Sequence, residues 1–227
     1  MFQKLAFPFA AALVLLFSCN ALSGKPETAA QGSASIEPMP AQEVAYGRLD
    51  TATFASGCFW CVEAIFESLK GVKEAVSGYS GGHTTNPTYE AVSAHTTGHI
   101  ETVQVYYDPK MITYQTLLEV YFASQDATQV NGQGPDHGDS YRSVIFYHDA
   151  AQRDLAEAYK KQLNESDKYS KPVAASVEPL KAFYMAEAYH QNYERQHPNE
   201  PYVRNVSIPR LNRMKAQFPQ LLKKGHN

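Results

Sequence analysis

Two cysteines three residues apart, Cys58 and Cys61 in GCFWCVE, enclose an aromatic pair, Phe59 and Trp60, and Trp60 is the only tryptophan of the chain. Thiols act chemically as thiolates, which attack electrophilic sulfur, close disulfides or bind soft metals. Gly57 ends a short strand and a helix starts directly after it, so Cys58 falls at a helix N-terminus. Unpaired N–H groups and the helix dipole favour an anion there, and the expectation is a lowered Cys58 pKa. Cys61 lies one turn on, with the two Cα atoms about 5 Å apart, inside the roughly 4.4–6.8 Å range of disulfides. On spacing alone three readings of the pair stay open. A structural disulfide is the default outside the cytoplasm, although so small a loop gains little chain entropy. Half of a zinc site would need two more ligands, and no second C-x-x-C or close His pair is present. In a thioredoxin-like exchange site the Trp usually precedes the first Cys, whereas here it lies between them.

The elements that must hold this pair alternate in type. Thr51–Ser56 is a strand, and Cys61–Leu69 carries apolar residues at helical spacing. Val72–Tyr79 is a strand ended by Gly81-Gly82, and Tyr89–Ser93 is a short helix after the Asn86-Pro87 turn. Glu101–Tyr107 alternates as a strand, and Tyr114–Ser124 is helical through Leu117, Leu118, Tyr121 and Phe122. Residues 125–139 hold no periodicity and form a long loop, a place where function often resides. Tyr141–His148 is a strand, Asp149 caps a helix running to Asn164, Val173–Val177 is a short strand and Ala182–Arg195 is helical. The remainder, with Pro198, Pro201, Pro209 and Pro219, is expected to be mostly extended or irregular. The pattern predicts one α+β domain, a mixed sheet with helices packed on it.

Composition narrows the partners. The chain has 227 residues, 44% hydrophobic and 19% charged, with a net charge of −3. That is enough for one sizeable core. Its 20 Lys+Arg are scattered with no basic stripe, which argues against nucleic acid. After Lys4, residues 5–17 (LAFPFAAALVLLF) are too short to span a bilayer but suit a secretory leader. Leu16-Phe17-Ser18-Cys19 resembles a bacterial lipobox in which Cys19 becomes the lipidated first residue. An ordinary leader cleaved after Ala21 would discard Cys19, and either way Cys19 leaves the catalytic arithmetic. Residues 20–47 are rich in Ala, Ser, Pro, Gly and Glu and read as a flexible tether. The expected organisation is a leader of lipoprotein type over 1–19, the tether over 20–47 and a catalytic domain over 48–227. The protein is expected to be exported, periplasmic or membrane-anchored through the N-terminal lipid, and monomeric.

GCFWCVE resembles the signature of the A-type peptide methionine sulfoxide reductases. Further blocks follow in order: GYSGG, NPTYE and GHIE within 77–109, GQGPDHGDSYRSVIFYH over 132–148, and AEAYHQNY over 186–193. The resemblance covers about residues 50–210. It implies a two-layer sandwich with a ferredoxin-like core and thiol-dependent reduction of methionine S-sulfoxide, free or in proteins, without a cofactor. It implies Cys58 as the nucleophile that ends as a sulfenic acid and Glu101, in GHIE, as a general acid kept protonated by burial. Tyr89 and Tyr141 would hydrogen-bond the sulfoxide oxygen, and Asp136 would help hold substrate and water. Phe59 and Trp60 would wall the methyl group, Gly57 would allow close backbone approach, and Glu63 and Tyr189 would support. Many family members carry resolving cysteines in a C-terminal tail. Here no Cys follows Cys61, so Cys61 is the candidate that closes a Cys58–Cys61 disulfide, recycled by a thioredoxin-like reductant.

Overall fold

The computed structural model describes residues 49–225. The leader, Cys19 and the tether lie outside the described residues. Eight strands and six α-helices follow one another as β1 (Asp50–Ala55), α1 (Phe59–Glu67), β2 (Val72–Ser80), α2 (Tyr89–Ser93), β3 (Ile100–Tyr107), α3 (Tyr114–Ala123), β4 (Gly132–Gln133), β5 (Asp136–His137), β6 (Val144–Tyr147), α4 (Ala150–Asn164), β7 (Ser176–Pro179), β8 (Phe183–Met185), α5 (Tyr193–Gln196) and α6 (Ile208–Gln217). Six strands form one mixed sheet in the order β7-β6-β1-β3-β2-β8, in which only β6 and β7 pair in parallel. At its centre β3 lies antiparallel between β1 and β2, so β1-α1-β2 is a split βαβ unit. The β3-α3-β6 crossover straddles β1 in the same way. The expected α+β sandwich with a ferredoxin-like core is what forms.

The helices form where their apolar spacing and caps dictate. In α1, Val62, Ile65 and Phe66 are buried, and the Ser68 hydroxyl closes its end on the Ile65 carbonyl at 2.7 Å. The Thr113 hydroxyl accepts the Thr116 N–H at 3.1 Å to start α3, and the Asp149 carboxylate accepts the Gln152 N–H at 2.8 Å to start α4. The core centres on Phe54, whose ring stacks with Phe66 at 5.0 Å, Tyr121 at 5.2 Å and Tyr114 at 6.1 Å. Its neighbour Ala55 points to the opposite face of the sheet and packs with Ile100, Val144 and Phe146.

Four segments differ from the sequence reading. Ala182–Arg195 is not one helix: it contains β8, a 3₁₀ turn over Ala188–His190 and the short α5. The open edge of β2 recruits β8, because Gly78 has no Cβ and a Cβ there would sit 2.4 Å from the Tyr184 carbonyl oxygen. The proline-rich stretch after Pro198 is helical rather than irregular. A π-helical turn, Val203–Ser207, runs into α6, and Pro209 sits in the first turn of α6, where a missing N–H is harmless. The 125–139 loop folds back on itself as the β4–β5 hairpin. The buried Gln133 side chain pins it, accepting the Asp126 N–H at 2.9 Å and donating to the Asp126 carbonyl at 3.0 Å. The strand expected at Val173–Val177 begins later, at Ser176.

Candidate active site

Everything at this site hangs on the turn between β1 and α1. Gly57 has φ 71°, a left-handed conformation, and a Cβ there would lie 2.5 Å from the Gln133 Cβ. The close approach at Gly57 is therefore to the β4–β5 hairpin. The Gly57 N–H donates to the Tyr141 carbonyl at 3.1 Å, tying this turn to the 3₁₀ turn Asp139–Tyr141. Cys58 follows as the N-cap residue of α1.

The first two amides of this helix are both taken by carboxylates. The Phe59 N–H donates to Glu101 Oε2 at 2.9 Å, and Asp136 is hydrogen-bonded to the Cys58 backbone. Glu101 arrives from β3, where it pairs with Tyr79 on β2, and is 3% exposed. Burial raises its pKa to about 8, against the lowering hydrogen bond from Phe59, so at neutral pH it carries a proton. Asp136 arrives from β5 and accepts the Tyr202 hydroxyl at 2.6 Å.

Cys58 and Cys61 are both free, buried thiols in hydrogen-bond contact with each other. The expected lowering of the Cys58 pKa is not found. Burial first, then the contact with Cys61 and the negative charges of Cys61, Glu101 and Asp136, push the Cys58 thiol up. The helix dipole does not prevail because carboxylates already occupy the N–H groups that would have favoured the thiolate. Cys61 moves the other way, to about 7. The contact with Cys58 lowers it against the opposing effect of burial, with help from the Arg210 charge and hydrogen bonds from Ser207 and Tyr202.

Around the cysteines stands an aromatic wall. Phe59 is buried to 1%, its ring 4.9 Å from His190, 5.8 Å from Tyr79 and 6.5 Å from Tyr89. Trp60 is half-buried, stacks on Tyr193 at 3.7 Å and donates its indole N–H to His190 Nδ1 at 3.1 Å. Tyr89 and Tyr141 are half-buried and within electrostatic range of Glu101 and Cys58, and burial raises both phenols. The chain thus brings Cys58, Cys61, Glu101, Tyr89, Tyr141, Asp136, Phe59 and Trp60 to one end of the sheet. Glu63 stands behind them, buried. It accepts the Ser77 hydroxyl and the Asn192 N–H, both at 2.5 Å, and burial raises it to about 7. Tyr189 is 54% exposed and touches only the rim, its ring 4.1 Å from His190.

Several residues here escape sequence reasoning. Tyr202 lies with its hydroxyl 3.9 Å from Cys61 Sγ, and Arg210 is buried on α6. Both fall in the segment whose prolines suggested irregular chain. Glu187 accepts the Tyr79 hydroxyl at 2.8 Å and the Tyr89 N–H at 2.9 Å, and His190 is buried between Phe59 and Tyr89. Their signal was the AEAYHQNY block itself. A cleft of about 640 Å³ is lined by Cys61 together with, among others, Asp126, Gln133, Asp136, Arg210 and Arg213.

Comparison with known proteins places this arrangement. Residues 50–222 match the sequence profile of the family described as peptide methionine sulfoxide reductase. The peptide methionine sulfoxide reductase MsrA of Natronomonas pharaonis is 48% identical over 170 residues, covering 75% of this chain and 96% of that protein. That of Thermus thermophilus is 47% identical over 174 residues, covering 77% and 98%. Among solved structures, Mxr1 from Saccharomyces cerevisiae in reduced form superposes with a TM-score of 0.62 at 32% identity, covering 67% of this chain and 87% of that one. Methionine sulfoxide reductase A of Corynebacterium diphtheriae gives 0.60 at 31%, covering 67% and 76%.

Proposed function

The chain belongs to the peptide methionine sulfoxide reductase family and is a peptide-methionine (S)-S-oxide reductase, and from that premise we propose how its residues divide the work. Cys58 is the nucleophile and Glu101 the acid. One observation carries this assignment: a buried carboxyl, held protonated to about pH 8, accepts a hydrogen bond from the residue next to the N-cap thiol. A sulfoxide oxygen leaves sulfur only when protonated, and Glu101 holds that proton at neutral pH. Tyr89 and Tyr141 stay protonated and serve as donors to the same oxygen. A protonated sulfoxide is cationic, and a cation against Cys58 favours its thiolate, offsetting the burial that raises it in the free protein. Cys58 takes the oxygen as a sulfenic acid while methionine sulfur recovers its electron pair. Trp60 presents the open part of the wall to the methyl group, and Phe59 backs it.

Cys61 then attacks the Cys58 sulfenic acid and forms the Cys58–Cys61 disulfide with loss of water. A thioredoxin-like dithiol reopens it by exchange. The apolar leader and the Ala/Ser/Pro-rich residues after it support an exported protein, anchored through Cys19, that repairs oxidised proteins outside the cytoplasm. The mass of the mature N-terminus from cells tests this. An acylated Cys19 is expected, and an unmodified chain beginning beyond it would rule out the anchor.

The decisive assay is dithiothreitol-driven turnover on separated S and R epimers of a methionine sulfoxide peptide. Turnover of the S epimer alone is expected, abolished in Cys58→Ser. Cys61→Ser should release one equivalent of methionine and then stop cycling with a thioredoxin-like reductant. Sustained thioredoxin-linked cycling in Cys61→Ser would remove Cys61 from its role.

A further inference from the structure

Arg210 is 6% exposed, and its guanidinium donates to the Ser124 carbonyl at 2.8 Å, the Ser56 carbonyl at 2.8 Å and the Ser56 hydroxyl at 2.6 Å. All three acceptors are neutral. Among the described residues, none of the ion pairs involves Arg210. A buried charge with no counter-ion in contact is costly, and neutral donors could tie the end of β1 to α6 without that cost. The acids that share its cleft are Cys61, Asp126 and Asp136. Asp126 accepts the Thr128 N–H at 3.0 Å and the Thr128 hydroxyl at 2.8 Å. Asp136 also feels the Arg210 charge but is already hydrogen-bonded by the Tyr202 hydroxyl and the Cys58 backbone. Cys61 remains as the group that a fixed positive charge here serves.

We propose that Arg210 is a positioning residue for recycling: its buried guanidinium is the counter-charge of the Cys61 thiolate and readies Cys61 to attack oxidised Cys58. The inference rests on the reading that Cys61 resolves a Cys58 sulfenic acid. In that step the Cys61 electron pair forms the S–S bond. The S–O bond breaks with its electron pair on oxygen, which leaves as hydroxide and is protonated to water. The groups facing Cys61 are Cys58 on its own helix, Glu101 on β3, Asp136 on the hairpin, and Tyr202, Ser207 and Arg210 on the helical C-terminal segment. Arg213 also lines the cleft, and Arg210 is the cation whose charge acts on Cys61. The direction of the Cys61 titration, downward with Arg210 as a contributor, agrees.

The first experiment titrates Cys61 by the ultraviolet absorbance of its thiolate in Cys58→Ser protein, which keeps a hydroxyl beside Cys61, with Cys58→Ser/Cys61→Ser as the blank. Arg210 is intact there, so the result does not depend on an Arg210 variant folding. A midpoint clearly below that of an ordinary thiol is expected, rising in Arg210→Gln and restored by Arg210→Lys, which keeps the charge. In Cys58-containing protein, disulfide formation near neutral pH should fall about five- to tenfold in Arg210→Gln relative to methionine released in the same single turnover. The smaller thiolate fraction is partly offset by the greater nucleophilicity of a more basic thiol. The deficit should close at alkaline pH. An ordinary or raised Cys61 midpoint with Arg210 intact would overturn the proposal, and so would a midpoint unmoved in folded Arg210→Gln. Absence of single-turnover methionine from the parent protein would instead sink the reading beneath it, leaving the Cys61 titration unaffected.

Discussion

Glu101 shows how one residue is set for its task by its surroundings. It sits at 3% exposure on a central strand, and no cation lies among the groups that shift it. Its folded pKa of about 8 lies above the unfolded value of 4.5. The proton is thus bound more tightly in the folded state, and the associated stability is present in full below about pH 4.5 and is lost as pH rises through about 8. Glu101→Gln copies the protonated acid and still accepts the Phe59 N–H. It should therefore melt at a higher temperature than the parent, by a margin that widens between pH 5 and about pH 8.5, as calorimetry across that range would show. The same substitution should cut S-sulfoxide turnover about a hundredfold or more, since an amide cannot deliver the proton. In the parent, single-turnover methionine formation should decline as pH rises through about 8, the limb set by loss of the Glu101 proton. A rate that keeps rising past that pH would exclude Glu101 as the acid.

At the scale of elements, the segment from β8 to α5 works as a strap across the back of the wall. The Gln191 side chain accepts the Ser77 N–H at 3.0 Å and donates to the Ser77 carbonyl at 2.9 Å and the Ala186 carbonyl at 3.0 Å, standing in for a strand where β8 has ended. Gln191→Ala should cost about 2–4 kcal/mol, three hydrogen bonds with part-buried backbone groups left open. The Ser77 amide should also exchange faster with solvent, a change that hydrogen-exchange mass spectrometry resolves. This strap is also where the sequence was least legible. Hydrophobic spacing located α1 and α3, because their buried faces repeat with the helical period, and the Asp149 cap located α4. Ala182–Arg195 carries a similar density of apolar residues, yet the open edge of β2 claims Phe183–Met185, and Asn192 takes a left-handed conformation at φ 56°. The prolines near Tyr202 and Arg210 hid a helix, because a proline in a first turn breaks nothing. Cys58, Glu101 and Asp136 could be found in ordered motifs. The mutual capping of α1 by the two carboxylates, which reverses the expected shift of Cys58, depends on strands far apart in sequence.

For the molecule as a whole, the split βαβ arrangement gathers the site at one end of the sheet, with Cys58, Phe59 and Cys61 at the margin of the core that Phe54 centres. Phe54 holds that core. Phe54→Ala should destabilise the protein by about 3–5 kcal/mol, measured by urea unfolding, with kcat at low temperature far less affected than stability. The family profile starts at residue 50 and β1 starts at Asp50, so a chain beginning at residue 48 should fold and keep the kcat of the full protein. A large loss of activity on that truncation would show that the preceding residues take part in catalysis. The aromatic wall has one more consequence at this scale. The protein owns a single tryptophan, and that indole is stacked on Tyr193, bonded to His190 and flanked in sequence by the reacting sulfurs. Its emission is therefore a built-in optical reporter. A disulfide closing beside it should quench the fluorescence, and the reductant should restore it. Oxidation and recycling can then be followed in real time as two opposite signals from one native chromophore, with no label attached.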